Sequence, residues 1–509
     1  MHRMSPRPPW LPPTRRAPIS DSDLESLCRR LDSGESCWIQ GSIGSGRTKV
    51  LSAVATRSDR RLVAVRLAGC REKSDIILAL GWALRTVPCG SREAVIRAAR
   101  ELDHPLFLID DADLTALDEL ITDLIEEIPD SSWLCAGSGD APEILRSSSI
   151  TLPPRPLPSL PKDLDLSATG PGTLHPALLL ASLPAGLPHL GPLPTDLLLV
   201  DTPDRQVIRP AMLETLKSSV PAPSQVASEL LRIYDRTLGL AMGAPILVSH
   251  RWEDALTLRW MGEVLADPDR ACLASAAAAR LLVAWGQPQS ADRVLEGAHR
   301  RNARSHPRGL ALLSWASAVC CLARGGLEGA EAHFDEAAAH LHDAGEDAIL
   351  ARLHQYRADE HIQRSNAHDG VQFLRKARRL LTVLADQASI SSTLRCAADL
   401  AVANGELLSA ETLYDQAAGS ETPAQERIAR RIGLASLAMS RGENRRAQRL
   451  IESQEQSHGS QIIHGNQQRR LADLAAREGR PEKAASHARH ALLAYGRGGA
   501  HIAVGHIHR

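Results

Sequence analysis

Ser36-Cys37-Trp38-Ile39-Gln40-Gly41-Ser42-Ile43-Gly44-Ser45-Gly46-Arg47-Thr48 decides the fold of the N-terminal third of the chain. A short strand runs into a glycine-rich octapeptide, and a helix over Thr48 to Thr56 follows at once. Gly41, Gly44 and Gly46 let backbone N–H groups, that of Ser45 among them, turn inward around phosphate oxygens. The helix N-terminus behind them adds its partial positive charge. Thr48 stands where a hydroxyl would hold Mg²⁺, and Arg47 stands where this motif has its lysine. Arginine is longer, planar and forked, so it can bind phosphate without reproducing lysine's position. The expectation is a phosphate site that keeps binding and loses fast hydrolysis.

Outward from the loop, strands and helices alternate from about Ser20 to Leu152, the pattern of a parallel sheet covered on both faces. A helix over Asp23 to Leu31 precedes the first strand, and Arg61 to Leu67 forms the second. Helical segments around Asp75 to Leu84 and Arg92 to Leu102 lead to the apolar strand Leu106 to Ile109, which ends in Asp110-Asp111. A helix over Ala116 to Ile128, the strand Trp133 to Ala136 and the short strand Ile150 to Leu152 complete the order of an additional-strand P-loop domain. The two acids, about sixty residues beyond the loop, would place Asp110 on Mg²⁺ through water and Asp111 against the attacking water. The plainer reading is that Asp110-Asp111-Ala112-Asp113 opens a solvated loop and caps the next helix.

Pro153 to Gly172 is rich in proline and glycine and reads as a linker. A helix near Ala177 to Leu183, the strand Asp196 to Val200, a turn at Asp201 to Asp204, the strand Gln206 to Ile208 and a helix from Ala211 to Lys217 suggest a winged-helix module. A truncated helical domain would leave a similar trace. Beyond about Gln225 the period is helical throughout, and a motif repeats: Ala291/Leu295/Ala298, Ala330/Phe334/Ala337, Gly370/Leu374/Ala377, Ala410/Tyr414/Ala417 and Ala484/Ala488/Ala491, with a weaker copy at Ala447/Ile451/Gln454. Gly286, Gly325, Gly405, Gly442 and Gly479 each stand five residues before a first anchor, and Ser365 takes that place in the remaining copy. Small residues let two helices approach, the larger one fills the groove, and the glycine turns one helix into the next. These spacings resemble the tetratricopeptide repeat, a concave stack that binds peptides or proteins. A further degenerate unit begins near Trp252-Glu253-Asp254-Ala255.

The chain of 509 residues accommodates about three domains. We read residues 1–19 as a disordered arm, 20–152 as a P-loop NTPase-like domain, 153–173 as the linker, 174–222 as the winged-helix-like module, 225–495 as the repeat array and 496–509 as a tail. Charges cancel, with 59 Lys and Arg against 60 Asp and Glu, and only 3% of residues are aromatic, which argues against nucleic acid as a partner. Nine cysteines without a CxxC pair suit neither a disulfide framework nor zinc, and point to a reducing cytoplasm. The first sixteen residues are basic and proline-rich without the apolar core of a secretory signal. Leu174 to Val200 is apolar but broken by five prolines, so no membrane span is expected. His501, His506 and His508 read as a solvated tail rather than metal ligands, and Arg441, Arg445, Arg446 and Arg449 as an exposed helix face.

Together, the loop with its altered lysine, the paired acids, the wing-like module and the repeats resemble the STAND class of signal-transducing NTPases, across nearly the whole chain in architecture but on two short motifs. The resemblance implies a regulator in which ADP locks a closed monomer, while an inducer at the repeats permits ATP exchange and homo-oligomerisation. It implies phosphate contacts from Gly44, Gly46 and Arg47, Mg²⁺ contacts from Thr48 and Asp110, and water activation by Asp111. The family's arginine after the fourth core strand is replaced by Ala136-Gly137-Ser138-Gly139-Asp140, and the Gly-Arg-Glu element before the first helix by Ala17-Pro18-Ile19-Ser20. Its Gly-x-Pro signature has a counterpart only in Gly172-Thr173-Leu174-His175-Pro176, which a proline-rich linker explains equally well. The expectation is therefore a nucleotide-binding switch with slow or absent turnover. Its rivals are a pseudo-NTPase scaffold that only anchors the repeats, and a transcriptional regulator using the winged helix on DNA.

Overall fold

The computed structural model describes residues 11, 17–42, 45–84, 86, 90–112, 115–154, 198–202, 205–208, 212, 215–216, 222–238, 252–302, 306–363, 367–384, 387–418, 424–452 and 461–498. It divides into two compact units, one of Met1–Leu231 with Arg251–Leu265, the other of Arg232–His250 with Ala266–Arg509.

In the first unit, β1 (Cys37–Gln40), β2 (Leu62–Arg66), β3 (Leu106–Asp110), β4 (Ser132–Gly137) and β5 (Ser149–Thr151) form one sheet in the order β2-β3-β4-β1-β5. Every pairing in it is parallel. Strand β4 thus separates the strand before the glycine loop from the strand ending in the two acids, as the sequence pattern requires. Parallel strands need crossovers, and α1 (Asp21–Asp32), α2 (Arg47–Arg57), α3 (Lys73–Leu84), α4 (Arg92–Arg100) and α5 (Thr115–Glu127) occupy the intervals around them. Alternation along the strands sends Cys37, Ile39, Leu106, Leu108, Leu134 and Ala136 to one face, where they meet Leu24, Leu27 and Leu31 of α1 and Val50, Leu51 and Val54 of α2. The alternate positions carry the bulkiest groups: the rings of Phe107 and Trp133 stack with centroids 3.9 Å apart.

Leu11 is buried in this core, and Ala17 and Ile19 pack against it. The reading of residues 1–19 as a disordered arm is corrected at these three positions, where apolar side chains gain more from the core than from water.

Helix α6 (Pro223–Leu238) precedes α7 (Glu253–Val264), and α7 belongs to the first unit rather than to the array in which the sequence reading placed it. Besides its buried apolar residues Ala255, Leu258 and Met261, α7 brings Arg259 to Asp75 of α3, both buried, with Nη2 2.9 Å from Oδ2. Asp75 Oδ2 also accepts the backbone N–H groups of Arg71 and Glu72, so its charge is fully matched. At the surface, Arg71 pairs with Glu263 at 2.8 Å.

Strands β6 (Leu198–Thr202) and β7 (Arg205–Ile208) form a separate antiparallel hairpin with Val200 opposite Val207. The hairpin of the winged-helix reading is present, shifted so that Asp201 and Thr202 extend the first strand rather than open the turn. Its flanking helices and the linker lie outside the described residues apart from Pro153, Pro154, Met212, Thr215 and Leu216.

The second unit is helical throughout its described residues. Six pairs follow one another: α8 (Pro268–Ala284) with α9 (Pro288–Arg301), α10 (Pro307–Ala323) with α11 (Leu327–Asp343), and α12 (Asp347–Gln363) with α13 (Ala367–Leu384). Then come α14 (Gln387–Ala403) with α15 (Leu407–Gln416), α16 (Ala424–Ser440) with α17 (Asn444–Glu452), and α18 (Gln461–Arg477) with α19 (Pro481–Gly498). In three copies every anchor is buried, Ala291, Leu295 and Ala298, Ala330, Phe334 and Ala337, and Ala410, Tyr414 and Ala417, whereas in the last copy Ala491 is buried and Ala484 and Ala488 only partly so. Gly286, Gly325, Gly405, Gly442 and Gly479 sit between paired helices with φ of 80, 84, 79, 77 and 70°, the left-handed region that glycine enters without strain. Ser365 and Gln454 lie outside the described residues.

Candidate functional site

The glycine loop emerges from β1 at the C-terminal edge of the sheet, where open parallel sheets bind ligands. Gly41 donates its N–H to the carbonyl of Gly137 at 3.1 Å, tying the loop to the end of β4. A Cβ on Gly41 would stand 2.5 Å from Ser45 Oγ and 3.1 Å from Leu152 Cβ, so only glycine lets the loop close. Ser45 N–H returns to the carbonyl of Ser42 at 3.0 Å. Gly46 is the N-cap of α2 at φ 102° and, as glycine, supplies no side-chain cap. Pro18 lies over it, with Cγ 3.0 Å from where a Cβ would be. The first turn of α2 contains no acid, so its N-terminal positive charge is not cancelled from within the helix. Ser45 Oγ is fully buried and has no hydrogen-bond partner among the described residues. Gly44 lies outside the described residues.

Thr48, at the start of α2, donates its hydroxyl to Asp110 Oδ2 at 2.6 Å. Asp110 closes β3 and is buried. Burial above all, and then the neighbouring charge of Asp111, raises its carboxyl to about 6, against the opposing pull of Thr48, Arg66 and Arg47. Asp111 follows at φ 55°, a left-handed conformation that aspartate and asparagine tolerate better than most side chains. Its N–H reaches back to Asp110 Oδ1 at 3.1 Å, and the next residue, Ala112, donates to the carbonyl of Ala136 at 2.9 Å. The turn after β3 is therefore pinned to the end of β4.

Arg47, placed by sequence on phosphate, is only 6% exposed, and its Nη2 lies 3.6 Å from Asp111 Oδ1. Arg66, which the sequence reading did not single out, donates Nε to Asp111 Oδ2 at 2.7 Å. The signal that could have found it is the register: Arg66 ends β2 directly opposite Asp110 in the parallel pair. The stretch Ala136 to Asp140 at the end of β4, read from sequence as lacking an arginine, brings Asp140 to accept from Gln40 Nε2 at 3.2 Å. The described residues that the sequence singled out thus converge on one edge: Gly41, Ser45, Gly46, Arg47 and Thr48 on the loop side, Asp110 and Asp111 on the strand side.

No family model matches the chain, and no curated protein matches it in sequence. Among solved structures, a Signal Transduction ATPase with Numerous Domains (STAND) protein with a tetratricopeptide repeat sensor from Pyrococcus horikoshii is similar in fold, with a TM-score of 0.53 at 12% identity over 95% of this chain and 84% of that one. The apo quorum sensor NprR from B. thuringiensis is matched over 52% of this chain and 77% of its own, at 12% identity and a TM-score of 0.35. BtubC from P. vanneervenii is matched over 44% and 88%, at 12% identity and a TM-score of 0.32. The first likeness spans both units and shows that an N-terminal α/β part with a five-stranded parallel sheet, followed by a long helical repeat region, is an architecture this chain shares with a STAND ATPase.

Proposed function

We propose that this chain is a STAND-like regulator whose α/β unit binds ATP or ADP with Mg²⁺, with slow or no hydrolysis, and whose repeat array recognises a protein, peptide or small inducer. One observation carries the reading. A buried hydroxyl without a partner among the described residues, Ser45 Oγ, lies beside a helix N-terminus opened by a left-handed glycine, three residues from a hydroxyl already hydrogen-bonded to the strand-end Asp110. A buried polar group without a partner costs stability, and a phosphate oxygen is the acceptor that a helix N-terminus selects. The residues therefore fit a bound polyphosphate. The backbone N–H groups of Gly44, Gly46 and Arg47 would hold its oxygens, with Ser45 contributing its hydroxyl, since its N–H is turned to the carbonyl of Ser42. Thr48 and Asp110 would hold Mg²⁺, which supplies charge neutralisation at the phosphates. Nucleotide state would then shift the equilibrium between arrangements that expose or hide the repeats, with homo-oligomerisation one outcome. No described helix is long and apolar enough to cross a membrane.

Calorimetry with Mg-ADP on the full chain tests this. A dissociation constant in the micromolar range is expected, with Thr48→Ala about tenfold weaker when Mg²⁺ is present and little changed when EDTA replaces it. Absence of heat with both ADP and ATP sinks the reading. One observation favours the scaffold alternative over an active ATPase: Asp111 is engaged by two guanidinium groups, which leaves it poorly placed to take a proton from water.

A further inference from the structure

Three charged groups at the sheet edge, two cations and one anion, form a chain that the lysine of an ordinary loop could not form in the same way. Arg47 and Arg66 approach Asp111 from different elements, α2 and β2, and each takes a different carboxylate oxygen. The Arg66 contact, at 2.7 Å, has hydrogen-bond length. The Arg47 contact, at 3.6 Å, is an ion pair without one. Arginine's length explains the reach, since its guanidinium stands farther from the backbone than an ammonium and presents a fork. The same side chain occupies the position from which the loop motif contacts phosphate. It cannot serve both anions fully.

We propose that Arg47 is a latch shared between two anions: without nucleotide it pairs with Asp111, and a bound polyphosphate draws it away, while Arg66 stays paired with Asp111 and holds it in place. The inference rests on the nucleotide reading and gives it a regulatory element. Nucleotide binding exchanges one ion pair for another, so the Asp111 carboxylate opposes binding. Arg66 matters in the opposite sense: by satisfying Asp111 it lowers the cost of releasing Arg47. Occupancy of the loop is thereby reported to the turn after β3, through a residue held at φ 55°. Asp111 acts here as a counter-ion, with Arg66 a positioning residue.

ADP affinity in EDTA isolates the exchange from Mg²⁺ and from turnover. Asp111→Asn suits the left-handed backbone and removes the competing charge, so it is expected to tighten ADP about tenfold, equivalent to about 1.4 kcal/mol. Arg66→Gln, which leaves Asp111 to Arg47 alone, is expected to weaken ADP several-fold. In the double variant the Arg66 effect should vanish, because the carboxylate it shields is gone. Wild-type binding with Asp111→Asn unchanged or weaker overturns the latch and leaves the nucleotide site standing. Arg66→Gln weakening ADP equally in both backgrounds also overturns it, since that is the behaviour of a merely structural arginine. Failure of wild type and Asp111→Asn alike to bind removes the nucleotide reading and the latch together, whereas binding by Asp111→Asn alone supports both.

Discussion

Arg47 in the α/β unit and Arg357 in the helical array are equally buried, each 6% exposed, and differ in the carboxylates they meet. Arg357 of α12 donates Nε and Nη2 to Glu331 Oε2 and Nη1 to Asp335 Oδ1, both acids on α11. Its guanidinium carbon lies 4.0 Å from the centroid of Phe373 and 5.7 Å from that of Phe334. His361, one turn on, meets the other oxygen of Glu331 at 3.0 Å. That cation is saturated by carboxylates at its edges and rings at its faces. The ion pair of Arg47 with Asp111 is a long one, to a carboxylate already engaged by Arg66. A saturated buried arginine fastens elements together, whereas one on a shared anion can be claimed by a ligand.

The strongest way to break this contrast is to remove each cation in turn. Arg357→Met leaves Glu331 with His361 as its remaining partner among the described residues and takes from α11, α12 and α13 the side chain that joins them. We expect a loss of about 3 kcal/mol in urea unfolding, at the low end for a broken buried pair because Asp335 is largely exposed. Arg47→Met should cost markedly less stability and instead weaken ADP binding, since Arg66 still neutralises Asp111. Equal stability losses from the two variants would show that both arginines are fasteners.

A smaller effect separates the units by pH. His354 of α12 is buried beside Phe373, with ring centroids 6.0 Å apart, and its Nδ1 has no hydrogen-bond partner among the described residues. Burial first, then Lys376 and Arg357, lower it from 6.5 to about 4, against Asp335. The folded array therefore holds His354 neutral where the unfolded chain protonates it. Its contribution to stability is present above pH 6.5 and is lost as pH falls toward 4, by about 2 kcal/mol at pH 5. Hydrogen exchange of α12, corrected for intrinsic rates, should show this loss, and His354→Phe should abolish that part of it. An unchanged pH slope in the variant would place the sensitivity elsewhere.

What could be read in advance follows from how local each feature is. The sheet was legible because β1, its glycine loop and α2 are contiguous, and because alternating strands and helices imply parallel pairing. The repeats were legible because a glycine five residues before a small anchor recurs in phase. Arg66 escaped because its partner is 45 residues away and set by register. Helix α7 was misassigned because Trp252-Glu253-Asp254-Ala255 looks like a repeat, while its buried contact to α3, Arg259 to Asp75, crosses 184 residues. Leu11 was missed because a proline-rich arm gives no periodicity from which burial could be inferred.

The smallest effect tests the glycines, which look alike in sequence and differ in surroundings. Gly405 turns α14 into α15 at φ 79° with no atom within 4 Å of the place a Cβ would take, so Gly405→Ala meets backbone strain alone. A cost of about 1 kcal/mol is expected, with ADP affinity unchanged. Gly46 is also left-handed, at φ 102°, but its extra methyl would meet Pro18 at 3.0 Å at the mouth of the glycine loop. Gly46→Ala must therefore shift either the helix start or the segment before α1, and both movements displace the N–H groups that a phosphate would use. A comparable stability cost accompanied by at least a roughly tenfold loss of ADP affinity would distinguish a cradle from a hinge. Indifference of ADP binding to Gly46→Ala would instead make this glycine a turn like those of the array, and the contrast between the two units would then rest on their buried arginines alone.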